Sequence, residues 1–175
     1  MSAENDPKAL SRADFVARFA HIFEHSPWIP EAAFDAGLPE DADTAEGLHR
    51  ALCAVLRAAP RDRHRALIDA HPDLAGRLAL AGELTDDSTK EQASAGLDQL
   101  SEAELARFTS LNTAYKEKFG MPFIMAVKGA GKEDILAAFE ARIGNDPETE
   151  FATALAQIER IALLRLRDIL PAQGS

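Results

Sequence analysis

The sequence predicts an all-α fold, a single-domain bundle of about eight or nine helices with one short extended segment near residues 122–127. Apolar residues recur at helical spacing along most of the chain, and Ser, Thr, Gly and Pro residues stand where helices begin and end. The run from Pro122 to Val127 is the one plausible non-helical core segment. A length of 175 residues with 46% hydrophobic residues suits one domain over residues 1–175, with residues 1–10 and 171–175 as loose termini.

The first half of the chain contains four predicted helices. Ser11, with Asp14 three residues later, opens a helix that continues through Ile22 and Phe23 and stops at Ser26-Pro27. The other three are a helix from Trp28 to Ala36 that ends at Gly37, a helix capped by Thr44, and a helix from Pro60 to about Ala70. The last of these must end there because Pro72 disfavours helical geometry at His71.

The second half adds four more helices and the extended segment. Ser88 opens one helix, and Ser101 with Glu104 forms a capping box for a long helix that ends at Gly120. The last two helices cover Lys132 to Ile143 and about Pro147 to Leu170, with Pro171 as the stop. Residues 122–127 fit either a strand or a buried extended segment, since periodicity cannot decide for so short a run.

Charge and composition exclude several classes of partner. The chain has 29 acidic residues against 19 Lys plus Arg, a formal charge of -10, and no basic stripe, so a nucleic-acid partner is not expected. Met1 to Lys8 lacks the apolar core of a signal peptide, and no apolar stretch approaches the ~20 residues that span a bilayer, so we expect a cytoplasmic protein without a membrane partner. Cys53 is the single cysteine, which excludes an internal disulfide and zinc sites built from several thiolates.

Arg165 is the clearest anomaly in the sequence. At 100° per residue it lies on the apolar face of the last helix, between Ile158 and Ile161. A guanidinium that faces the core keeps its proton, so it needs an anionic partner, either a protein carboxylate or a bound ligand. A structural ion pair is the commoner explanation, and the position alone favours it.

His71 and the segment from Ser88 to Gln92 are the other candidates. His71 lies in a break between helices with an ordinary pKa near ~6.5, which suits proton transfer, although a surface loop histidine is the commoner case. Ser88 to Glu91 forms a capping box by sequence, and a structural cap is the default interpretation. The first turn of a helix can also bind an anionic group.

Two short patterns are weaker leads. His21-Ile22-Phe23-Glu24-His25 matches a metallopeptidase pattern with two imidazoles one helical turn apart, but the neighbouring apolar residues favour a packed helix. Gly129-Ala130-Gly131-Lys132 hints at a phosphate loop, but Ala126 replaces the first glycine and Glu133 replaces the required Ser or Thr. We therefore expect no metal site and no phosphate loop.

Five segments in consistent order from about Ser11 to Leu170 resemble the 2-oxo-4-hydroxy-4-carboxy-5-ureidoimidazoline (OHCU) decarboxylase family. They are Glu24-His25-Ser26-Pro27-Trp28, His71-Pro72-Asp73-Leu74, Leu84-Thr85 with Ser88 to Leu97, Phe119-Gly120-Met121-Pro122-Phe123-Ile124, and Ile161-Ala162-Leu163-Leu164-Arg165-Leu166. One departure is His21, where the family leads us to expect a small residue.

The resemblance implies an all-α enzyme that converts a small anionic ureidoimidazoline to (S)-allantoin and carbon dioxide without a cofactor, as a homodimer. It implies that His71 is the catalytic acid or base and that Glu91 and Arg165 are the remaining catalytic polar residues. The substrate-binding residues it implies are Pro72, Ser88, Thr89, Lys90 and Gln92, with Phe123, Ile124, Met125, Ala126 and Val127 lining the pocket largely through backbone. The competing interpretations are a zinc peptidase that uses His21, Glu24 and His25, and a helical interaction module whose Arg165 docks an acidic partner.

Overall fold

A computed structural model describes residues 6–72, 74, 85–94, 96–97 and 99–172. This part of the chain contains eight α-helices and no strand, which confirms the predicted all-α class. The helices are α1 (Arg12–Phe19), α2 (Trp28–Ala36), α3 (Ala45–Ala58), α4 (Arg61–Asp69), α5 (Asp86–Ser94), α6 (Glu102–Phe119), α7 (Lys132–Arg142) and α8 (Pro147–Arg167), preceded by a short 3-10 helix, Pro7–Ala9. None of these described helices is long and apolar enough to cross a membrane.

The caps that the sequence predicts are present at several helix ends. The Ser11 and Thr44 side chains accept hydrogen bonds from Asp14 N and Gly47 N at the starts of α1 and α3. Ser101 and Glu104 form the reciprocal capping box of α6, whose far end is closed by Gly120 in the left-handed conformation.

Three predicted boundaries are wrong. α1 ends at Phe19, so Ile22 and Phe23 lie in a turn rather than on the helix, although both are buried. α5 begins at Asp86 instead of Ser88, because the Thr85 hydroxyl accepts a hydrogen bond from Ser88 N at 3.2 Å. α8 ends at Arg167, three residues before Leu170.

The chain divides into two compact units, one formed by Met1–Leu67 with Glu159–Ser175 and the other by Ile68–Ile158. In the first unit α2 packs on both α1 and α3 around buried apolar side chains that include Phe15, Ile29 and Leu52. The end of α8 belongs to this unit and contributes Ala162 and Leu166 to its core. The carbonyl of Pro171 accepts a hydrogen bond from Ala45 N at 2.9 Å.

The second unit has an aromatic core where α6 packs on α7. The rings of Phe123 and Phe139 stack with centroids 3.7 Å apart, and Tyr115 meets Phe123 edge-on at 5.2 Å. Residues 122–127 form an irregular extended segment here, as the sequence predicts. Packing of Phe123 between two helices explains why so short a segment is fully buried at its start.

Candidate active site

Arg165 is buried in the first unit, where it pairs with Glu24. Its side chain is on α8 and 5% exposed, and its Nη2 donates a hydrogen bond to Glu24 Oε1 at 2.9 Å. Its Nη1 is within hydrogen-bond distance of two backbone carbonyls, His21 O at 3.3 Å and Ile22 O at 3.4 Å. The predicted inward position is therefore present, and one partner of the guanidinium is a protein carboxylate.

A tight turn after α1 brings Glu24 to Arg165. Ile22 N donates to Phe19 O at 3.2 Å as the helix ends, and His25 adopts a positive φ of 47°. The Ser26 hydroxyl then donates to Glu24 O at 2.9 Å, which fixes the end of the turn. As a result Glu24 is only 2% exposed, although its neighbour His25 is on the surface.

The ion pair with Glu24 bears on two interpretations of the buried Arg165, namely a bound anionic ligand and an acidic protein partner. Because Glu24 supplies a buried counter-charge, the burial of the guanidinium does not by itself require an anionic ligand. A side chain that is 5% exposed also cannot dock an acidic protein from solution, as the interaction-module interpretation needs.

The zinc-peptidase interpretation does not fit the geometry of its three residues. His21 and His25 follow the end of α1 and do not stand one turn apart on a helix, while Glu24 is engaged with Arg165. Across the part of the chain that the structure describes, no group of three or more His, Cys, Asp or Glu side chains is placed to hold a metal ion.

His71 belongs to the second unit and is buried. It follows the end of α4 at Asp69, and its backbone N–H donates to Ile68 O at 3.1 Å. The side chain is 8% exposed, so the surface-loop interpretation is wrong, and Pro72 beside it is half-buried. Asp73, the next residue in the chain, lies outside the described residues.

The first turns of α5 contain the next group of predicted residues. Ser88 is buried and Glu91 is half-buried, whereas Lys90 is exposed. The side chains of Thr89 and Gln92 lie outside the described part of the structure. Because Thr85 caps the helix, Ser88 is a residue of the first turn, with its hydroxyl not needed as the N-cap.

The extended segment is held by side chains that sequence reasoning did not single out. Arg142 Nη1 donates to Ile124 O at 2.6 Å, and Ala126 N donates to Gln157 Oε1 at 2.9 Å. Phe123, Ile124 and Val127 are buried, while Met125 and Ala126 are half-buried. Two backbone groups of the predicted pocket lining are therefore fixed by protein partners.

Arg142 itself belongs to a buried network around Glu150, which is 0% exposed. Glu150 accepts hydrogen bonds from Arg142 at 2.9 Å, from the Tyr115 hydroxyl at 2.6 Å and from Asn145 Nδ2 at 2.9 Å. Burial favours the protonated carboxyl, but the bonds from Arg142, Tyr115 and Asn145 outweigh it and lower the pKa of Glu150. Burial and the bond to Glu150 raise the pKa of the Tyr115 hydroxyl.

Cys53 and His49 form a pair that resembles a nucleophile with its base. Cys53 Sγ lies 3.2 Å from His49 Nε2, which also lies 2.7 Å from Glu159 O. Burial, followed by the charge of Glu159, raises the pKa of the thiol to about 12. A thiol that stays protonated near neutral pH is a poor nucleophile, so this pair is a packing contact.

The predicted site residues divide between the two units, with Arg165 in the first and His71, Ser88, Glu91 and residues 123–127 in the second. The model of the OHCU decarboxylase family matches residues 8–167. The chain belongs to the OHCU decarboxylase family. An OHCU decarboxylase from Haloferax volcanii is 42% identical over 91% of this chain and 90% of its own length. An OHCU decarboxylase from Mus musculus is 35% identical over 95% of this chain and 92% of its own length.

Similar sequences and structures also occur as parts of longer proteins. The uric acid degradation bifunctional protein PucL of Bacillus subtilis is 43% identical over 87% of this chain, which corresponds to 30% of its own length. A crystal structure of (S)-allantoin synthase matches with a TM-score of 0.76 and 32% identity, covering 97% of this chain. The match covers about half, 54%, of the length of the (S)-allantoin synthase chain. A structure of OHCU decarboxylase in the presence of (S)-allantoin, at 22% identity and a TM-score of 0.64, shares the fold.

Proposed function

We propose that this protein decarboxylates OHCU to (S)-allantoin and carbon dioxide in urate degradation. The observation that supports this function most strongly is the family match over residues 8–167, together with relatives of that name that align along nearly their whole length. The predicted catalytic and substrate-binding residues extend the proposal to individual side chains.

The proposed reaction breaks one carbon–carbon bond and forms one carbon–hydrogen bond. The bond to the carboxylate breaks, carbon dioxide leaves, and the electron pair moves into the adjacent ring C=N. A proton is then delivered to one face of the carbon, which sets the hand of allantoin. Because the ring itself accepts the electrons, the enzyme has to orient the substrate, stabilise charge and place a proton, and the proposal includes no cofactor.

His71 is the proposed acid or base of this reaction. The His71 side chain is buried just after the end of α4, and imidazole is the side chain that most often acts as a general acid or base. It either helps to deprotonate the substrate hydroxyl or donates the final proton.

Glu91 and Arg165 complete the proposed catalytic set. We assign Glu91, half-buried on α5, to holding and polarising His71 or the substrate hydroxyl, and Arg165 to an anionic or carbonyl edge of the substrate. Substrate contacts are assigned to Pro72, Ser88, Thr89, Lys90, Gln92 and residues 123–127.

We place the protein in the cytoplasm, since its single cysteine suits a reducing compartment. We also propose a homodimer, as the family resemblance implies, which light scattering of the purified protein tests directly.

Substitution of His71 tests the proposed function at its proton-transfer step. OHCU is generated in place from urate with the two enzymes that precede decarboxylation, and its disappearance is followed by ultraviolet absorbance. The His71→Ala variant should lose a factor of roughly 100 to 10,000 in kcat, with an unchanged helical circular dichroism spectrum. Thr113→Ala, at an exposed position on α6, is the control and should keep the wild-type rate. A fully active His71→Ala variant would remove His71 from the mechanism, and a wild-type rate no faster than spontaneous decay would remove the function.

A further inference from the structure

Glu24 gives the proposed substrate-binding arginine both a fixed orientation and a counter-charge. The guanidinium of Arg165 donates to Glu24 Oε1 through Nη2, while Nη1 faces the carbonyls of His21 and Ile22. A planar guanidinium contacted at both terminal nitrogens has little freedom to rotate. The direction in which Arg165 presents its donors is therefore set by the turn that contains Glu24.

The charge of the pair matters because of what a decarboxylase must do to its substrate. OHCU enters with a full negative charge on its carboxylate, and that charge moves into the ring as carbon dioxide forms. An uncompensated cation beside the carboxylate would stabilise the ground state more than the transition state, and interactions of that kind tighten binding and slow the chemical step. Burial would strengthen the effect, because charges interact more strongly away from water.

We propose that Glu24 is a positioning residue of the reaction: it neutralises Arg165, so that the guanidinium orients the carboxylate edge of OHCU without retaining it. This inference rests on the proposed function and commits Arg165 to the carboxylate edge rather than the carbonyl edge. Both members of the pair are almost fully buried, with side chains 1% and 5% exposed, so solvent does not screen Glu24 from Arg165. The pair of Glu24 and Arg165 then contributes directed hydrogen bonds with no net charge of its own.

The Glu24→Gln variant tests the inference, because glutamine keeps the shape and an acceptor oxygen but removes the charge. We expect the KM for OHCU to fall about threefold and kcat to fall about tenfold, which is about 1.4 kcal/mol in the barrier. The matched control is Glu46→Gln, which removes a more exposed partner of Arg167, two residues further along the same helix. The control should change neither parameter by more than about twofold.

Binding of two stable probes separates charge compensation from a merely structural role. (S)-Allantoin is neutral and allantoate carries a carboxylate, and isothermal titration calorimetry gives the affinity of each. Glu24→Gln should bind allantoate at least about threefold more tightly than the wild type and leave allantoin unchanged. Glu24→Asp retains the charge, so it should bind the two probes with the wild-type preference. Its shorter side chain should change the orientation of the Arg165 guanidinium, so kcat should fall.

Several results would overturn the inference. An unchanged or raised kcat in Glu24→Gln would show that neutralisation does not assist the reaction. If this variant gained the same affinity for allantoin as for allantoate, the change in binding would not be due to charge. If Glu24→Gln does not fold, a wild-type kcat in Glu24→Asp would overturn the positioning role instead. These outcomes leave the wild-type activity intact, whereas failure of the proposed function would appear as a wild-type protein without activity.

Discussion

Two buried arginine–glutamate pairs in this molecule are built from the same residue types and are surrounded differently. In the second unit, Glu150 accepts hydrogen bonds from three residues, and Arg142 also binds the Ile124 carbonyl and lies 4.3 Å from the centroid of the Phe123 ring. In the first unit, Arg165 donates to Glu24 and also contacts the backbone carbonyls of His21 and Ile22, which belong to one turn.

The difference indicates what each pair does. A carboxylate that accepts from three residues, with an arginine stacked on a core ring, ties the extended segment to α6, α7 and the start of α8. In the other pair the carboxylate comes from a short turn. It fixes the orientation of one guanidinium and balances its charge. The first arrangement is suited to stability, and the second is suited to the chemistry proposed for Arg165.

The largest effect is expected from removing Glu150. Glu150→Ala leaves Arg142 as a buried charge without its counter-charge and takes the acceptor from Tyr115 and Asn145, so the free energy of unfolding should fall by about 3–5 kcal/mol. Urea unfolding followed by circular dichroism measures it. The control Glu117→Gln, at an exposed position on α6, should unfold like the wild type, and an equally stable Glu150→Ala variant would refute the structural role.

A smaller loss is expected from Gln157, the second anchor of the extended segment. Gln157→Leu removes the acceptor for Ala126 N, and leaving a partly buried amide without its partner should cost about 1–3 kcal/mol. Because residues 123–127 are proposed to line the substrate pocket, the KM for OHCU should rise as well. Gln99→Leu, at an exposed position, is the control, and an unchanged stability and KM in Gln157→Leu would show that this bond does not position the segment.

The pH dependence of stability should separate Glu150 from an ordinary carboxylate. Its pKa is lowered in the folded protein, because the hydrogen bonds outweigh the opposing effect of burial. A group of this kind stabilises the fold above its unfolded pKa of ~4.3, and that contribution is lost as the pH falls through the lower folded value. We therefore expect the wild type to have a higher free energy of unfolding than Glu150→Gln at about pH 6. This difference in free energy should become smaller as the pH is lowered to about pH 3. A constant or widening difference would contradict the direction of the shift.

The smallest effect is expected at a surface pair of the same residue types. Arg107 and Glu140 pair with side chains that are each more than half exposed. Solvent and salt screen such a pair, so Glu140→Gln should leave the urea midpoint unchanged within the error of the measurement. A clear destabilisation would mean that exposure does not distinguish the pairs in this protein.

Much of the fold was predictable because helix ends are encoded locally. Thr44 and Ser101 cap the helices that follow them, and Gly120 closes α6, all within one turn of the residues that identify them. The inward position of Arg165 followed from helical spacing, because α8 continues past it to Arg167.

The partners of the buried charges were not predictable in the same way. Tyr115 and Glu150 are 35 residues apart in sequence, and Glu24 and Arg165 are 141 apart, so no local pattern joins them. The sequence does not predict the early end of α1, because Ile22 and Phe23 continue the apolar spacing of the helix while lying in a turn. Thr85 and Ser88 are both suitable caps three residues apart, and only the structure selects Thr85.

The optical activity of the product tests the central claim most directly. With OHCU generated in place from urate, spontaneous decay gives racemic allantoin, so the circular dichroism of allantoin reports only what the protein adds. We predict an accumulating excess of (S)-allantoin whose initial rate is proportional to the concentration of the wild-type protein. A racemic product, or an excess of the opposite hand, would contradict the proposed function.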